Sequence, residues 1–228
     1  MDFLERTRTG YDATAAEYAA RLHHHIDDKP VERAMLAAFA ELVRATGLAA
    51  VADVGCGTGV TTRILSELGI VASGIDLSPN MIDQARRRNP ELDFRVGSMT
   101  ELSLPDGCVG GVCAWYSTIH VPDTHLPTVF SEFHRVLAPG GVVLLAFQVG
   151  DQPRHLTEAF GIPVDLEFHR RTTEAVGVLL ESAGLPVYTR TVREADDDGL
   201  ESTPQAFLLA RRADPAVCTL AGRGTLYR

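Results

Sequence analysis

The chain has 228 residues, of which 45% are hydrophobic, and it carries a formal net charge of −9 at pH 7. This length and composition suit one globular domain with a substantial core, and we expect a single domain over residues 1–228. The acidic balance argues against a broad nucleic-acid-binding or membrane-binding surface, because either would need a basic stripe.

The cysteine usage and the N-terminus favour a cytoplasmic protein. The four cysteines show neither a C-x-x-C pair nor the regular spacing of a disulfide framework; they are Cys56, Cys108, Cys113 and Cys218. The N-terminus lacks the basic-then-apolar order of a signal peptide, and no apolar run reaches the length of a membrane span. We therefore expect a reduced cytoplasmic protein with no membrane partner, either a monomer or a homodimer.

Two helices are predicted before the first strand. One covers residues 12–22, where Asp12 can act as the N-cap, and the other covers residues 30–46, where Pro30 suits the first turn. Between them, the side chains of His23–His25 would point in different directions on a helix, and no fourth ligand is evident. We therefore predict no metal site.

A glycine-rich loop follows the first strand candidate. Val51–Val54 predicts a buried strand, and Gly55, Gly57 and Gly59 stand at alternate positions directly after it. Glycines without a Cβ permit a tight turn and a close approach of a ligand to the backbone. The spacing does not match the G-x-G-x-x-G of dinucleotide sites, because residue 60 is Val.

Beyond this loop, strand and helix candidates alternate along the chain. Strands are predicted at Val51–Val54, Val71–Ile75, Phe94–Val96, Val112–Tyr116 and Val142–Phe147, and helices at 60–68, 79–89, 124–137 and 172–183. Such alternation is typical of a parallel sheet with helices on both faces.

The end of the chain breaks this alternation. Val187–Val192 and Ala206–Ala210 are strand candidates, and the polar turn 196–199 lies between them with no room for a helix. We therefore predict an α/β fold with a doubly wound, mostly parallel seven-stranded sheet that ends in an antiparallel C-terminal hairpin. The tail after Ala213 has no firm pattern, so no structure is predicted for it.

The segment Val51-Ala52-Asp53-Val54-Gly55-Cys56-Gly57-Thr58-Gly59 resembles motif I of the class I S-adenosylmethionine (SAM)-dependent methyltransferases. Further motifs in the same order extend the resemblance over most of the chain. It implies SAM as cofactor and S-adenosylhomocysteine as product. It also implies that Gly55, Gly57 and Gly59 approach the methionine part of SAM, with Asp53 near its ammonium group.

Asp76 ends the second strand and precedes Ser78-Pro79, which suits the start of a helix. It is similar to the acidic residue of the family that accepts hydrogen bonds from both ribose hydroxyls, and a carboxylate suits a vicinal diol. The alternative is an acidic residue that only marks the helix start. Under the ribose interpretation, Leu77 and Met81 pack on the ribose and the adenine.

Three further SAM contacts follow from the resemblance. Ser98 stands where many relatives have an acidic residue that recognises the adenine amino group, so this sequence departs from the family pattern there. Met99 is expected against the face of the adenine ring. Trp115 lies near the end of the fourth strand, beside which relatives hold the methionine part of SAM.

The N-terminal residues resemble the lid of small-molecule methyltransferases in this superfamily. Tyr11 and Tyr18 match a tyrosine pattern in which one tyrosine meets the SAM carboxylate, so residues 1–46 are interpreted as lid helices. Simple packing of the tyrosines is the alternative. Lys29 is a further candidate partner for the carboxylate.

Methyl transfer to an oxygen requires removal of a proton, for which a neutral histidine is well suited. His120, in the loop after the fourth strand, is the first candidate for this base, and a packing or hydrogen-bonding role is its alternative. His155, after the fifth strand, is the second candidate. An amine or carbon acceptor needs no dedicated base.

Residues 149–170 form a long connection for this fold, and in similar enzymes extra segments at this place cap the acceptor pocket. We expect this cap and the lid to enclose a small-molecule pocket. Its candidate walls, each of which has a core position as its alternative, are Trp115, Tyr116, His155, Phe160 and Phe168.

The sequence therefore predicts transfer of a methyl group from SAM to an oxygen or nitrogen atom of a small organic acceptor, such as a bacterial secondary metabolite. The alternatives are a NAD-dependent oxidoreductase, a non-catalytic SAM-binding protein and a methyltransferase for macromolecules. The acidic net charge disfavours the last of these.

Overall fold

A computed structural model describes residues 2–197, 199 and 201–213. Asp198 in the predicted turn, Cys218 and the rest of the tail after Ala213 lie outside the described residues. Among the residues described, no helix combines the length and the apolar run that a bilayer crossing requires.

The described chain folds into helices and strands that alternate over most of its length. The helices are α1 (Phe3–Arg21), α2 (Pro30–Ala45), α3 (Val60–Glu67), α4 (Pro79–Arg88), a short 3-10 helix (Thr118–His120), α5 (Leu126–Val136) and α6 (Thr173–Ser182). The strands are β1 (Ala50–Val54), β2 (Val71–Asp76), β3 (Asp93–Val96), β4 (Val109–Trp115), β5 (Leu137–Gln148), β6 (Arg154–Ala159), β7 (Ile162–Phe168), β8 (Val187–Arg193) and β9 (Gln205–Arg211).

Seven strands form one sheet in the order β3-β2-β1-β4-β5-β9-β8. Neighbours among the first five strands are parallel, whereas β9 is antiparallel to both β5 and β8. The predicted fold class, including the antiparallel hairpin at the C-terminal end, is confirmed. Because the first five strands run in one direction, their carboxyl ends meet at a single edge of the sheet, where a ligand crevice is expected.

The helices cover both faces of this sheet. On one face, α2 buries Phe39 and Val43 against Val51 and Leu144. On the other face, Phe130 and Phe133 of α5 and Leu180 of α6 pack with the opposite side chains of the central strands. Since the strands are covered on both sides, they are almost continuously apolar, as the sequence pattern indicated.

The first helix begins nine residues earlier than predicted. Asp2 is its N-cap, and the Asp2 carboxylate accepts a hydrogen bond from the Glu5 N–H at 2.7 Å. The predicted capping role of Asp12 is therefore wrong. Asp12 lies within α1, and its Oδ1 accepts a hydrogen bond from the Ser78 hydroxyl at 2.5 Å. Position 10, inside this helix, favours glycine because a Cβ there would lie only 2.7 Å from the Leu166 side chain.

Residues 149–170, expected as a connection, contain a separate two-stranded sheet of β6 and β7. Every residue of β6 is exposed or half-buried, and its sequence shows no apolar alternation. In β7 the apolar residues Ile162, Val164, Leu166 and Phe168 do alternate with other residues, although only Leu166 is fully buried. The hairpin packs on α1. This packing brings the two segments that flank the sheet edge into contact with each other.

Candidate functional site

A cavity of about 540 Å³ opens at the carboxyl edge of the parallel strands. Its walls come from α1, the loops after β1, β2, β3 and β4, and the β6–β7 hairpin. This volume is within the usual range of small-molecule sites. Helix α1, the glycine loop and the β6–β7 hairpin therefore surround one shared space.

The three glycines after β1 have different surroundings. All three have positive φ angles, of 75° at Gly55, 53° at Gly57 and 82° at Gly59. Gly55 and Gly57 line the cavity, and a Cβ built on Gly57 would meet nothing within 4 Å. Gly59 is not among the lining residues; a Cβ there would lie 2.8 Å from Phe94. The third glycine thus serves packing behind the loop.

Thr58 lies between these glycines and was not predicted as a site residue. Its side chain is buried, and its hydroxyl has no hydrogen-bond partner among the described residues. Thr58 also lines the cavity. A buried hydroxyl in this position fits a polar ligand group above the loop, because buried polar atoms are nearly always hydrogen-bonded.

The structure places Asp53 behind the glycine loop, outside the cavity lining. Its carboxylate Oδ2 accepts a hydrogen bond from the Thr62 hydroxyl at 2.6 Å, which connects β1 to α3. Burial raises the pKa of Asp53 to about 7. This position differs from the expected contact with a ligand ammonium group.

Asp76 lies at the end of β2 on the cavity wall. Its Oδ2 accepts a hydrogen bond from the Gly57 N–H at 2.8 Å, and its Oδ1 accepts one from the Ser78 N–H at 2.9 Å. Burial raises the pKa of Asp76, and these two N–H donors oppose that shift. Each carboxylate oxygen can accept more than one hydrogen bond, so the carboxylate is oriented for two ligand donors. Leu77 and Met81 line the cavity beside it.

Ser98 and Met99 also line the cavity, next to the end of β3. The Ser98 hydroxyl lies 2.7 Å from the Thr100 hydroxyl and accepts a hydrogen bond from the Thr100 N–H. Ser98 therefore already has local partners, whereas a carboxylate at this position would present free acceptor oxygens.

Tyr11 and Tyr18 are on the face of α1 that lines the cavity. Their ring centroids are 6.2 Å apart. Burial raises the pKa of both phenols, that of Tyr18 to about 12, and the Asp76 carboxylate contributes to both shifts. Both tyrosines are thus protonated hydrogen-bond donors near the carboxylate.

His120 is buried on the cavity wall with a partner at each ring nitrogen. Its Nδ1 lies 2.9 Å from the Glu167 carbonyl oxygen, and its Nε2 lies 2.7 Å from the Tyr11 hydroxyl. Since a carbonyl oxygen only accepts, Nδ1 carries the proton and Nε2 accepts from Tyr11. Burial lowers the pKa of His120 to about 4. The imidazole is therefore neutral at pH 7, with its lone pair directed at Tyr11.

His155 lies on β6, outside the cavity lining. Its Nε2 is 2.6 Å from the Asp165 carboxylate, and more than half of its side chain is exposed. The structure therefore does not bring the second histidine candidate to the site. The other candidate wall residues do line the cavity, namely Trp115, Tyr116, Phe160 and Phe168.

Lys29 belongs to a network of charges at one end of the cavity. Its ammonium group lies 2.6 Å from the Asp196 carboxylate and 3.3 Å from that of Glu201. Arg193 pairs with Glu32 and Glu201. The three carboxylates lie within 4.8 Å of one another, but the two cations pair with them, so the cluster is held by ion pairs.

The comparison with known families concerns the central part of the sheet. A family model described as a methyltransferase domain matches residues 51–141. This span contains the glycine loop, Asp76, Ser98, Met99 and His120. The matched span therefore includes the loops after β1, β2, β3 and β4 that line the cavity.

Two curated relatives are similar to this chain. One is the malonyl-[acyl-carrier protein] O-methyltransferase of Serratia marcescens, 34% identical over 118 residues that cover 51% of this chain and 45% of that protein. The other is a probable SAM-dependent methyltransferase of Mycolicibacterium smegmatis, 33% identical over 140 residues that cover 60% of this chain and 52% of that protein. The chain spans about half the length of these relatives.

Among solved structures, the chain is similar to magnesium protoporphyrin IX methyltransferase from Synechocystis PCC 6803 with bound SAM. The TM-score is 0.69, and the superposition covers 93% of this chain and 98% of that one at 16% sequence identity. At this identity the likeness shows a common fold, which extends over nearly the whole chain.

Proposed function

We propose that this chain is a class I SAM-dependent methyltransferase, as its similarity to the methyltransferase domain over residues 51–141 and to two methyltransferases supports, and that it transfers the methyl group of SAM to an oxygen or nitrogen atom of a small organic acceptor. SAM is the cofactor of this family. The family match speaks against the NAD-dependent oxidoreductase alternative.

The residues on the cavity wall fit SAM. Asp76 carries the proposal, since its partly buried carboxylate is oriented by the Gly57 and Ser78 N–H groups and suits the two ribose hydroxyls. Gly57 leaves open space where a bound methionine group would approach the backbone. The unpartnered Thr58 hydroxyl offers a hydrogen bond beside it.

When bound, SAM supplies a methyl group on a positively charged sulfonium, which is a good leaving group. The protein therefore contributes mainly by holding the acceptor in line and by excluding water. Residues 1–46 act as the lid and residues 149–170 as the cap in this proposal. It is supported by the contact between α1 and β7 and by the cavity residues that each segment provides.

His120 is the proposed base for an acceptor hydroxyl. Its Nε2 has the lone pair required, but the Tyr11 hydroxyl is hydrogen-bonded to it. Proton removal thus takes one of two routes: the acceptor hydroxyl replaces that of Tyr11, or the proton moves to Nε2 through the Tyr11 oxygen. The lowered pKa keeps the imidazole neutral over the physiological range, so its Nε2 lone pair is available, and it also makes His120 a weaker base than an ordinary histidine.

The acceptor is proposed to be a small molecule, such as a bacterial secondary metabolite, with neither nucleic acid nor membrane as partner. The cavity volume and its aromatic walls, which include Trp115 and Phe168, support this class of acceptor. The proposed location is the cytoplasm, which agrees with the free thiols of Cys56, Cys108 and Cys113. A monomer or a homodimer is proposed for its assembly.

The test is transfer of isotopically labelled methyl groups from SAM to compounds in an extract of the producing cell, detected by mass spectrometry. We expect a labelled product that depends on the protein and is reduced, at SAM concentrations that do not saturate the variant, with Asp76→Ala. If SAM binds but no extract component and no member of a broad panel of phenols, amines and acids is labelled, the non-catalytic SAM-binding alternative is favoured.

A further inference from the structure

Besides the Thr58 hydroxyl, two further buried polar atoms of cavity-lining residues have no hydrogen-bond partner among the described residues. They are the Tyr116 hydroxyl and the Oε1 atom of Gln148. Both residues line the cavity. Because buried polar atoms in folded proteins nearly always have partners, these two atoms require hydrogen bonds from something inside the cavity.

The two side chains belong to neighbouring strand ends. Tyr116 follows β4, and its N–H donates to the Ala146 carbonyl of β5 at 2.9 Å. Gln148 is two residues further along β5, where it pairs with Gln205 of β9. The ends of β4 and β5 thus bring a phenol and an amide to the wall of the same cavity.

The backbone of Tyr116 is in an uncommon conformation. Its φ angle is 53°, in the left-handed region that bulky residues rarely adopt. Such strained residues cluster at ligand-binding and active sites, where the surrounding structure holds them in place. This strain is a second observation, independent of the missing hydrogen bonds, that marks Tyr116 as part of a binding site.

The charges beside Tyr116 favour a particular kind of ligand group. Glu32 and Glu201 line the cavity, and together with Asp196 they place three carboxylates around the two cations Lys29 and Arg193. After burial, the carboxylates of Glu32 and Glu201 are the largest causes that raise the pKa of Tyr116. The excess of negative charge disfavours a ligand carboxylate and favours a group that donates hydrogen bonds.

We propose that Tyr116 and Gln148 form an acceptor-positioning subsite, which binds a hydroxyl or an amine group of the acceptor and discriminates against a carboxylate. The inference rests on the proposed function and specifies its substrate class. A hydroxyl or an amine can donate to Gln148 Oε1, and its oxygen or nitrogen can also accept from, or donate to, the Tyr116 hydroxyl.

The test uses three probes that share one aromatic skeleton: phenethyl alcohol, phenethylamine and phenylacetate. Each is titrated by calorimetry into the full chain saturated with S-adenosylhomocysteine. We expect the alcohol and the amine to bind at least about tenfold tighter than the carboxylate, the effect of one good hydrogen bond. The variants Tyr116→Phe and Gln148→Met should each reduce this preference to about twofold or less.

Matched controls separate binding from folding. Tyr188 and Gln152 are exposed and are not among the cavity residues, so Tyr188→Phe and Gln152→Met should keep the full preference. Because the Tyr116 hydroxyl has no partner among the described residues, Tyr116→Phe should fold with an unchanged thermal midpoint. Equal or undetectable binding of all three probes, or a preference that survives both cavity variants, overturns the subsite. Failure of S-adenosylhomocysteine to bind would instead contradict the proposed function.

Discussion

The hydroxyl of Tyr11 lies 2.7 Å from Nε2 of His120, and this hydrogen bond connects the N-terminal helix to the loop after β4. The other nitrogen of the same imidazole donates to the Glu167 carbonyl of β7. One neutral histidine therefore joins the helix, the loop and the hairpin that surround the cavity. A single side chain both closes the proposed site and provides its candidate base.

Replacement of His120 tests its role as the base. His120→Ala should lower turnover by about 10²- to 10⁴-fold, the usual contribution of a general base. The affinity for SAM should change less than about twofold, because the imidazole is proposed to act on the acceptor proton. Steady-state release of S-adenosylhomocysteine with an identified hydroxyl acceptor measures the first effect, and calorimetry the second.

The second histidine candidate provides a comparison. His155 lies outside the cavity lining and is ion-paired on an exposed strand. His155→Ala should therefore leave turnover near that of the wild type. Near-wild-type turnover of His120→Ala would refute the base assignment, and a large loss with His155→Ala would show that β6 contributes to the chemistry.

The depressed pKa of His120 predicts a specific loss of stability in acid. Its folded-state value is about 4 and its ordinary value is 6.5, so the unfolded chain binds the extra proton between these values. This residue's contribution to stability is fully present above pH 6.5 and is lost as pH falls towards 4.

The measurement is urea unfolding of the wild type and of His120→Gln at pH 7 and at pH 4.5. The free energy of unfolding of the wild type should exceed that of the variant at pH 7. This difference should be smaller by on the order of 1–3 kcal/mol at pH 4.5. The comparison with the variant removes the titration of other buried groups such as Asp53. A constant difference between the two proteins would mean that folding does not lower the pKa of His120.

The Asp76 carboxylate is expected to account for much of the binding of SAM. Asp76→Ala should weaken it by on the order of 1–3 kcal/mol, through loss of charge-assisted hydrogen bonds. Calorimetry gives the affinity, and Asp83→Ala on the exposed side of α4 is the matched control. Unchanged SAM affinity in Asp76→Ala, with the fold intact by circular dichroism, would exclude the ribose role.

The first two glycines of the loop should respond differently to alanine. A Cβ on Gly57 meets nothing within 4 Å, so Gly57→Ala should cost only the backbone penalty of roughly 1–2 kcal/mol while it obstructs the ligand. A Cβ on Gly55 would lie 2.2 Å from that of Ser117. Gly55→Ala should therefore destabilise the fold itself, by roughly 2–5 kcal/mol.

Thermal unfolding and SAM titration of both variants distinguish these effects. Gly57→Ala should retain most of its stability and lose at least about tenfold in SAM affinity, since bulk at this point displaces a ligand from bare backbone. If Gly57→Ala binds SAM as the wild type does, the ligand does not lie over this glycine.

The sheet and the ribose-binding candidate could be predicted because their signals are local. Apolar runs punctuated by glycine and proline indicate the buried parallel strands, and Asp76 follows such a run directly. The orientation of the loop residues could not be predicted in this way. Asp53 and Gly59 belong to the same motif as Gly57, but tertiary packing against Thr62 and Phe94 turns them away from the cavity.

Long-range contacts explain the other differences. The sequence places the start of the first helix at Asp12, whereas α1 continues through Gly10, where a Cβ would lie 2.7 Å from the Leu166 side chain. In the β6–β7 hairpin only β7 has the apolar alternation of a strand, at Ile162, Val164, Leu166 and Phe168, whereas β6 is exposed or half-buried throughout and is recognised as a strand only by its pairing with β7. Gln148 ends an apolar strand, and only the structure shows that its amide oxygen is buried without a partner.

The central claim is that the cavity binds SAM, and calorimetric titration of the intact chain with SAM, S-adenosylhomocysteine and NADH tests it most directly. We predict saturable binding of SAM and S-adenosylhomocysteine at a single site, and no detectable binding of NADH. Tight binding of NADH without binding of SAM would contradict the claim.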